Sequence, residues 1–136
     1  MRPWGDDREN KAACAYANVA DLTAKEKFSN WRTMDCRDRH VYTAPVGSYL
    51  ANDFGLHDVI GNVWEWVENC WNESYEAPGR PDDGGAWTSG DCGRRVVRGG
   101  SWGYDPRNLR SAFRGGSYTG GRDYGFGFRV ARTLTP

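Results

Sequence analysis

Asp58, Gly61, Val63 and Glu65 stand close together in the stretch GLHDVIGNVWEW, residues 55–66. Their types and spacing suit a hard cation. Calcium takes roughly six to eight oxygens, carboxylates mixed with backbone carbonyls, at about 2.3–2.6 Å. On an extended chain alternate positions face the same way, so Gly61, Val63 and Glu65 can address one point, with Asp58 one turn earlier. Glycine at 61 lets the backbone curl toward an ion. The plainer alternative puts Trp64 and Trp66 in the core and leaves the acids solvated or paired with arginines. His57 reads as a surface or packing residue.

Sulfur chemistry comes next. Cys14, Cys36, Cys70 and Cys92 allow three disulfide pairings. None sits in a CxxC spacing and only two histidines are available, which argues against zinc. Pairing Cys14 with Cys36 and Cys70 with Cys92 closes two similar sequential loops. Each is worth about 3 kcal/mol by loop entropy and implies an oxidising compartment, a secreted or cell-envelope location in bacteria. Four free buried thiols in a cytosolic protein remain the alternative. Ser101 follows two glycines, but no nearby histidine and acid complete a triad. It reads as a hydrogen-bonding residue at a strand end.

The elements that must position these groups are modest. Residues 20–32 can hold a helical turn or two. Residues 62–68 alternate, with Trp64 and Trp66 on one face and Val63, Glu65 and Val67 on the other, a strand pattern. Residues 72–93, rich in Pro, Gly, Asp and Ser, read as a long surface loop. Residues 95–98, 109–114 and 128–132 read as short strands, with a flexible, aromatic stretch between the last two. The whole reads as α+β or mostly β, in one domain over 1–136.

Composition agrees with a loop-rich fold. Mean hydropathy is −0.80, yet there are seven Trp, seven Tyr and five Phe, so a few large rings carry the burial. The net charge of zero is unevenly spread. Residues 94–136 hold nine arginines and two acids, whereas residues 1–93 hold sixteen acids and nine bases. Arginines interleaved with strand residues are expected to pair with the acidic front half or stay solvated, so nucleic acid is not the expected partner. No apolar run approaches the ~20 residues of a membrane span. No secretory leader opens the chain, so either it is cytosolic or its front end is missing.

Seven motifs then occur in order: PWGD at 3–6, YAN at 16–18, TAPVG at 43–47, FGLHDVIGNVWEW at 54–66, RVVRGGSW at 95–102, LRSAFR at 109–114 and GFRVAR at 127–132. Together they resemble the formylglycine-generating enzyme family, the sulfatase-modifying factors. The resemblance implies a C-type lectin-like fold variant: little regular secondary structure, a small twisted antiparallel sheet and long loops. Family domains usually begin well before PWGD, so the chain resembles a C-terminal portion or a minimal version.

The resemblance also implies chemistry. One family calcium site falls on Asp58, the carbonyls of Gly61 and Val63, and Glu65. A second falls on Asn18, the carbonyl of Val19, Asp38 and the carbonyl of His40. The family's oxidoreductases hold copper(I) on two cysteines just after the GGS[W/Y] motif, as soft thiolates favour that ion. Here residues 103–109 carry no cysteine, so no catalytic residue and no copper site is assigned. The leading expectation is a calcium-stabilised recognition or accessory domain. An oxygen-dependent modifying enzyme is the alternative. Ser101, Trp102, Tyr104, Asp105, Arg107, Phe113, Tyr118 and Tyr124 are the expected contacts for a protein or peptide ligand, because tyrosine, aspartate, glycine and serine on loops have a paratope-like composition. The same fold displays hypervariable residues in retroelement-diversified proteins, and residues 103–105, 113 and 115–119 are of types reachable from asparagine codons.

Overall fold

The computed structural model describes residues 2–5 and 11–131. Asp6 of the first motif and Arg132 of the last lie outside them. Two short helices come first, α1 (Ala13–Tyr16) and α2 (Leu22–Lys27). Neither is long enough to persist alone. Asp21 caps α2, its Oδ1 accepting from the Ala24 amide at 2.8 Å, a bond worth about 1 kcal/mol. Its Oδ2 accepts from the Asp38 amide at 2.5 Å, tying the helix start to a distant loop. The Cys14–Cys36 disulfide ties down α1 in the same way.

Four strands follow: β1 (Trp64–Trp71), β2 (Asp91–Arg98), β3 (Arg114–Tyr118) and β4 (Phe126–Gly127). They form one sheet in the order β3-β2-β1-β4. β1 pairs antiparallel with β2, and β2 with β3, but β4 runs parallel to β1. The sheet is therefore mixed rather than wholly antiparallel, because the loop before β4 brings it back alongside β1 in the same direction. Irregular register between Trp66 and Cys70 and between Cys70 and Trp71 bends β1 near its end, where the Cys70–Cys92 disulfide bridges it to β2.

Two expected strands are displaced. Residues 109–113 form no strand; Leu109 is fully buried after a 3-10 turn at Pro106–Asn108, and strand pairing starts only at Arg114. Residues 128–131 form no strand either. Phe128 and Val130 are exposed there, and Arg129 turns back onto Glu65. Their alternation reflects no buried face.

The core lies between the helices and the loops entering the sheet. Trp4, Ala13, Ala17, Val19, Met34, Ile60 and Leu109 pack together, with Cys14 and Cys36 against them. A second apolar group covers one face of the sheet. Trp64 meets Tyr104 and Phe113 at centroid distances of 4.8 and 5.8 Å, and Trp66 meets Phe126 at 5.4 Å.

Candidate functional site

Gly61 and Asn62 form the hinge on which the sites depend. Both have positive φ, 82° and 59°, which glycine adopts freely and asparagine better than most residues. The hinge is bonded on every side. Gly61 N–H donates to the Gly99 carbonyl at 3.0 Å, Asn62 N–H to the Asn18 carbonyl at 2.8 Å, and Trp102 N–H to the Asn62 carbonyl at 2.9 Å. The buried Asn62 side chain pairs with Ala44 through both its atoms, at 3.0 and 3.2 Å. One turn thus fixes Asn18, Ala44 and Trp102 relative to β1. Sequence reasoning passed over Asn62, although a Gly-Asn pair before an alternating run is a signal for such a turn.

Of the expected second calcium set, Asn18 and Asp38 are both buried. Asp38 Oδ2 accepts from the Val19 amide and Oδ1 from the His40 amide, each at 2.8 Å. Asn18 Nδ2 donates to the Tyr42 carbonyl at 2.6 Å. A carboxylate oxygen of Asp38, one of Asp21 and Cys14 Sγ lie within 4.8 Å of one another. That sulfur is bound to Cys36 and is no thiolate. Burial pushes the Asp38 carboxyl up to about 6, with the nearby Asp21 charge adding to the rise, against the pull of the His40 and Val19 amides.

At the first calcium set, Asp58 has φ 55°, and its Oδ2 accepts from the Gly47 amide at 2.6 Å. Glu65 is clasped by Arg129, whose Nε donates to its two oxygens at 2.8 and 2.7 Å. Arg129 Nη2 adds a close bond to Glu65 and donates to the carbonyls of His57 and Asp58 at 3.1 and 3.2 Å. His57 Nδ1 meets the Tyr49 carbonyl at 2.7 Å, a packing role.

Among the described residues, two buried side-chain oxygens have no hydrogen-bond partner: Asn18 Oδ1 and Asp58 Oδ1. One belongs to each expected oxygen set. A buried oxygen left unmet costs about 1–3 kcal/mol, and a cation would satisfy it. The donor set around Asn18 and Asp38 therefore fits calcium. The set around Asp58 and Glu65 fits it with Arg129 as competitor. Copper(I) does not fit: all four cysteines are in disulfides, leaving no thiolate for the ion.

The expected ligand contacts divide among separate places. Ser101, Trp102 and Tyr124 line a cavity of about 380 Å³ together with Phe28, Trp31 and Tyr42. Trp102 is its buried floor, with centroids 5.2 Å from Tyr42, 5.7 Å from Trp31, 6.0 Å from Tyr124 and 6.1 Å from Phe28. Phe28 and Trp31 stack at 4.1 Å. Gly103 permits this approach, since a Cβ there would lie 2.9 Å from Trp31 Cη2. Asp123 contributes a carboxylate to the lining, its Oδ1 held by the Gly125 amide at 2.7 Å.

The remaining contacts go elsewhere. Tyr104 and Phe113 pack on Trp64. Asp105 and Arg107 pair with each other in the 3-10 turn at 2.8 Å. The Arg107 hydrogen bonds hold the Asp105 carboxyl down at about 2. Tyr118 sits on β3 under Arg94, 5.7 Å from its ring. Phe28, Trp31 and Tyr42 were missed; their only sequence signal is large rings in an otherwise polar stretch.

The family model described as "Sulfatase-modifying factor enzyme 1-like domain" matches residues 3–134. The formylglycine-generating enzyme of Mus musculus is 32% identical over 100 residues, which cover 74% of this chain and 24% of that protein. Among solved structures, PvdO from Pseudomonas aeruginosa superposes with a TM-score of 0.68 at 34% identity, over 85% of this chain and 38% of its own. Treponema denticola variable protein 1 superposes with a TM-score of 0.67 at 23% identity, over 94% and 40%, a likeness of fold. The chain therefore spans well under half the length of each. The architecture is the C-type lectin-like α+β variant that the motifs implied.

Proposed function

Since the chain belongs to the sulfatase-modifying factor family, with 3–134 matched, we propose that it is a calcium-stapled recognition domain whose ligand seat is the aromatic cavity around Trp102. The observation that carries this reading is the cavity itself: five aromatic side chains and one carboxylate converge from four separate segments. Rings supply large contact area at low entropic cost, and Asp123 and Ser101 supply the polar contacts that orient a ligand. A peptide side chain of apolar or cationic character suits such a seat, since ring faces attract cations. Lys27, 4.9 Å from the Tyr42 ring, already makes this contact.

Calcium belongs to the support of this seat. Bound by Asn18 and Asp38 with the carbonyls of Val19 and His40, it would supply charge to a buried carboxylate and an electrostatic cross-link between two loops. The unmet Asn18 Oδ1 supports that assignment. Asn18 passes the restraint through Asn62 to Trp102 by backbone bonds. The protein works in an oxidising compartment, secreted or in the cell envelope, where two disulfides persist. Among the described residues no helix is long and apolar enough to cross a membrane.

The test is selection of displayed peptides on the calcium-loaded chain, with binders re-measured on Tyr124→Ala and on Tyr75→Ala. Binders lost with the first variant and kept with the second support the reading. Failure to enrich any peptide, or stoichiometric copper or iron with oxygen uptake on thiol peptides, would replace it with the enzymatic alternative.

A further inference from the structure

A second cavity, of about 230 Å³, lies on the sheet and owes nothing to the aromatic seat. Val67, Val96 and Trp87 give it apolar walls, and Asn69, Arg98 and Arg114 supply polar groups. Arg98 and Arg114 face each other across β2 and β3 in register. Arg114 is sandwiched between the rings of Trp71 and Tyr75, at 4.7 and 4.4 Å, and its Nη2 donates to the Glu73 carbonyl at 2.9 Å. Arg98 Nη2 donates to the Ser111 carbonyl. Both guanidinium groups are thus positioned by neutral carbonyls and rings.

Among the described residues neither has a carboxylate partner. Among the described residues the ion pairs of Glu26, Asp105 and Glu65 go to Arg37, Arg107 and Arg129. Glu65 is the cross-strand neighbour of Arg98, but Arg129 takes both its oxygens. Three buried donors around this patch also lack an acceptor: Trp71 Nε1, Arg94 Nε and Arg98 Nη1. Arg94 joins the group through Trp71, 5.1 Å from its ring. Arg98 and Arg114 are themselves half-buried, and charge partly withdrawn from water is normally met by a counter-charge.

We infer that this cavity is a binding site for a small monocarboxylate with an apolar stem. A guanidinium fork matches the planar carboxylate group, and Val67, Val96 and Trp87 suit the stem. A phosphate dianion fits less well, because its additional oxygens would lose hydration against apolar walls.

The test titrates sodium butyrate and sodium benzoate into the full chain at constant ionic strength, following the indole N–H signals of Trp71 and Trp87 by NMR. Saturable shifts are expected, weakened about tenfold in Arg98→Gln and in Arg114→Gln by loss of a charge-assisted pair. Tyr124→Ala in the other cavity should leave them unchanged. If Arg98→Gln fails to fold, Arg114→Gln and a rise in the wild-type melting temperature with benzoate decide the matter. Shifts that do not saturate, or that chloride reproduces, would overturn the site. Phosphate binding as tightly as butyrate would overturn the carboxylate assignment.

Discussion

Arg129 reaches back to clasp both carboxylate oxygens of Glu65, a residue 64 positions earlier in the chain. It stands among the oxygens expected to hold calcium and also takes the His57 and Asp58 carbonyls. The Glu65 bond raises the Arg129 pKa further above its already high range. A guanidinium stays charged at any ordinary pH, so acidity does not tune this competition.

Arg129→Gln should therefore separate the guanidinium from the ion. In EDTA the variant should melt below the wild type, by about 3–4 °C for each kcal/mol lost. In calcium it should recover, and by more than the wild type gains. Differential scanning calorimetry in the two buffers checks this. An equal calcium response in both proteins would mean that Arg129 and the ion do not share Glu65.

Asp38 gives a pH prediction for the metal-free protein. Its carboxyl is raised from 3.8 to about 6, mainly by burial. Between those values the folded chain holds a proton that the unfolded chain has released, so this group's contribution grows as pH falls through the window. Above about 6 its destabilising effect is complete. In EDTA, the stability difference between Asp38→Asn and wild type should shrink as pH falls from about 7 to about 4. Urea melts across that range measure it. A difference independent of pH would assign the proton to another group.

Trp102 and Tyr124 share the cavity but differ in burial, 5% against 80% exposed. Trp102→Ala should cost about 3–5 kcal/mol of stability, as large buried rings do. Tyr124→Ala should cost under about 0.5 kcal/mol, as surface changes do, while weakening whatever peptide the cavity takes. Chemical denaturation of both variants distinguishes the floor of the cavity from its rim. Equal losses of stability would place Tyr124 in the core.

Gly61→Ala tests the hinge. A Cβ there would lie 2.2 Å from the Asn18 carbonyl oxygen, at a φ of 82°. Backbone, not a flexible side chain, blocks the space, so the cost should exceed the roughly 1–3 kcal/mol of ordinary overpacking. A variant as stable as wild type by urea melt would mean that the hinge yields cheaply.

Legibility in the sequence followed the physics of each feature. Trp64 and Trp66 alternate with Glu65 and Val67, and that period-two pattern located β1. Even cysteine spacing offered the observed disulfide pairing as one of three. β3 was misplaced because its Arg-Gly-Gly-Ser-Tyr sequence has too few side chains to carry a pattern. The 128–131 stretch misled because Phe128 and Val130 alternate without being buried. The seat around Trp102 was half legible. Ser101, Trp102 and Tyr124 belong to the recognised motifs or to the loop beside them, whereas Phe28, Trp31 and Tyr42 arrive from far along the chain with no periodic signature. Composition indicates arginine pairing only as a general tendency, and the choice of Arg129 for Glu65 needs three dimensions.

The two disulfides are closed one after the other, Cys14 to Cys36 and then Cys70 to Cys92. Neither loop encloses a cysteine of the other pair. As the chain leaves the machinery that makes or exports it, amino terminus first, the first two thiols meet before the third has emerged. An oxidant that joins cysteines strictly in order of appearance yields the native connectivity directly. The domain can therefore mature with a simple thiol oxidase and no isomerase to correct it.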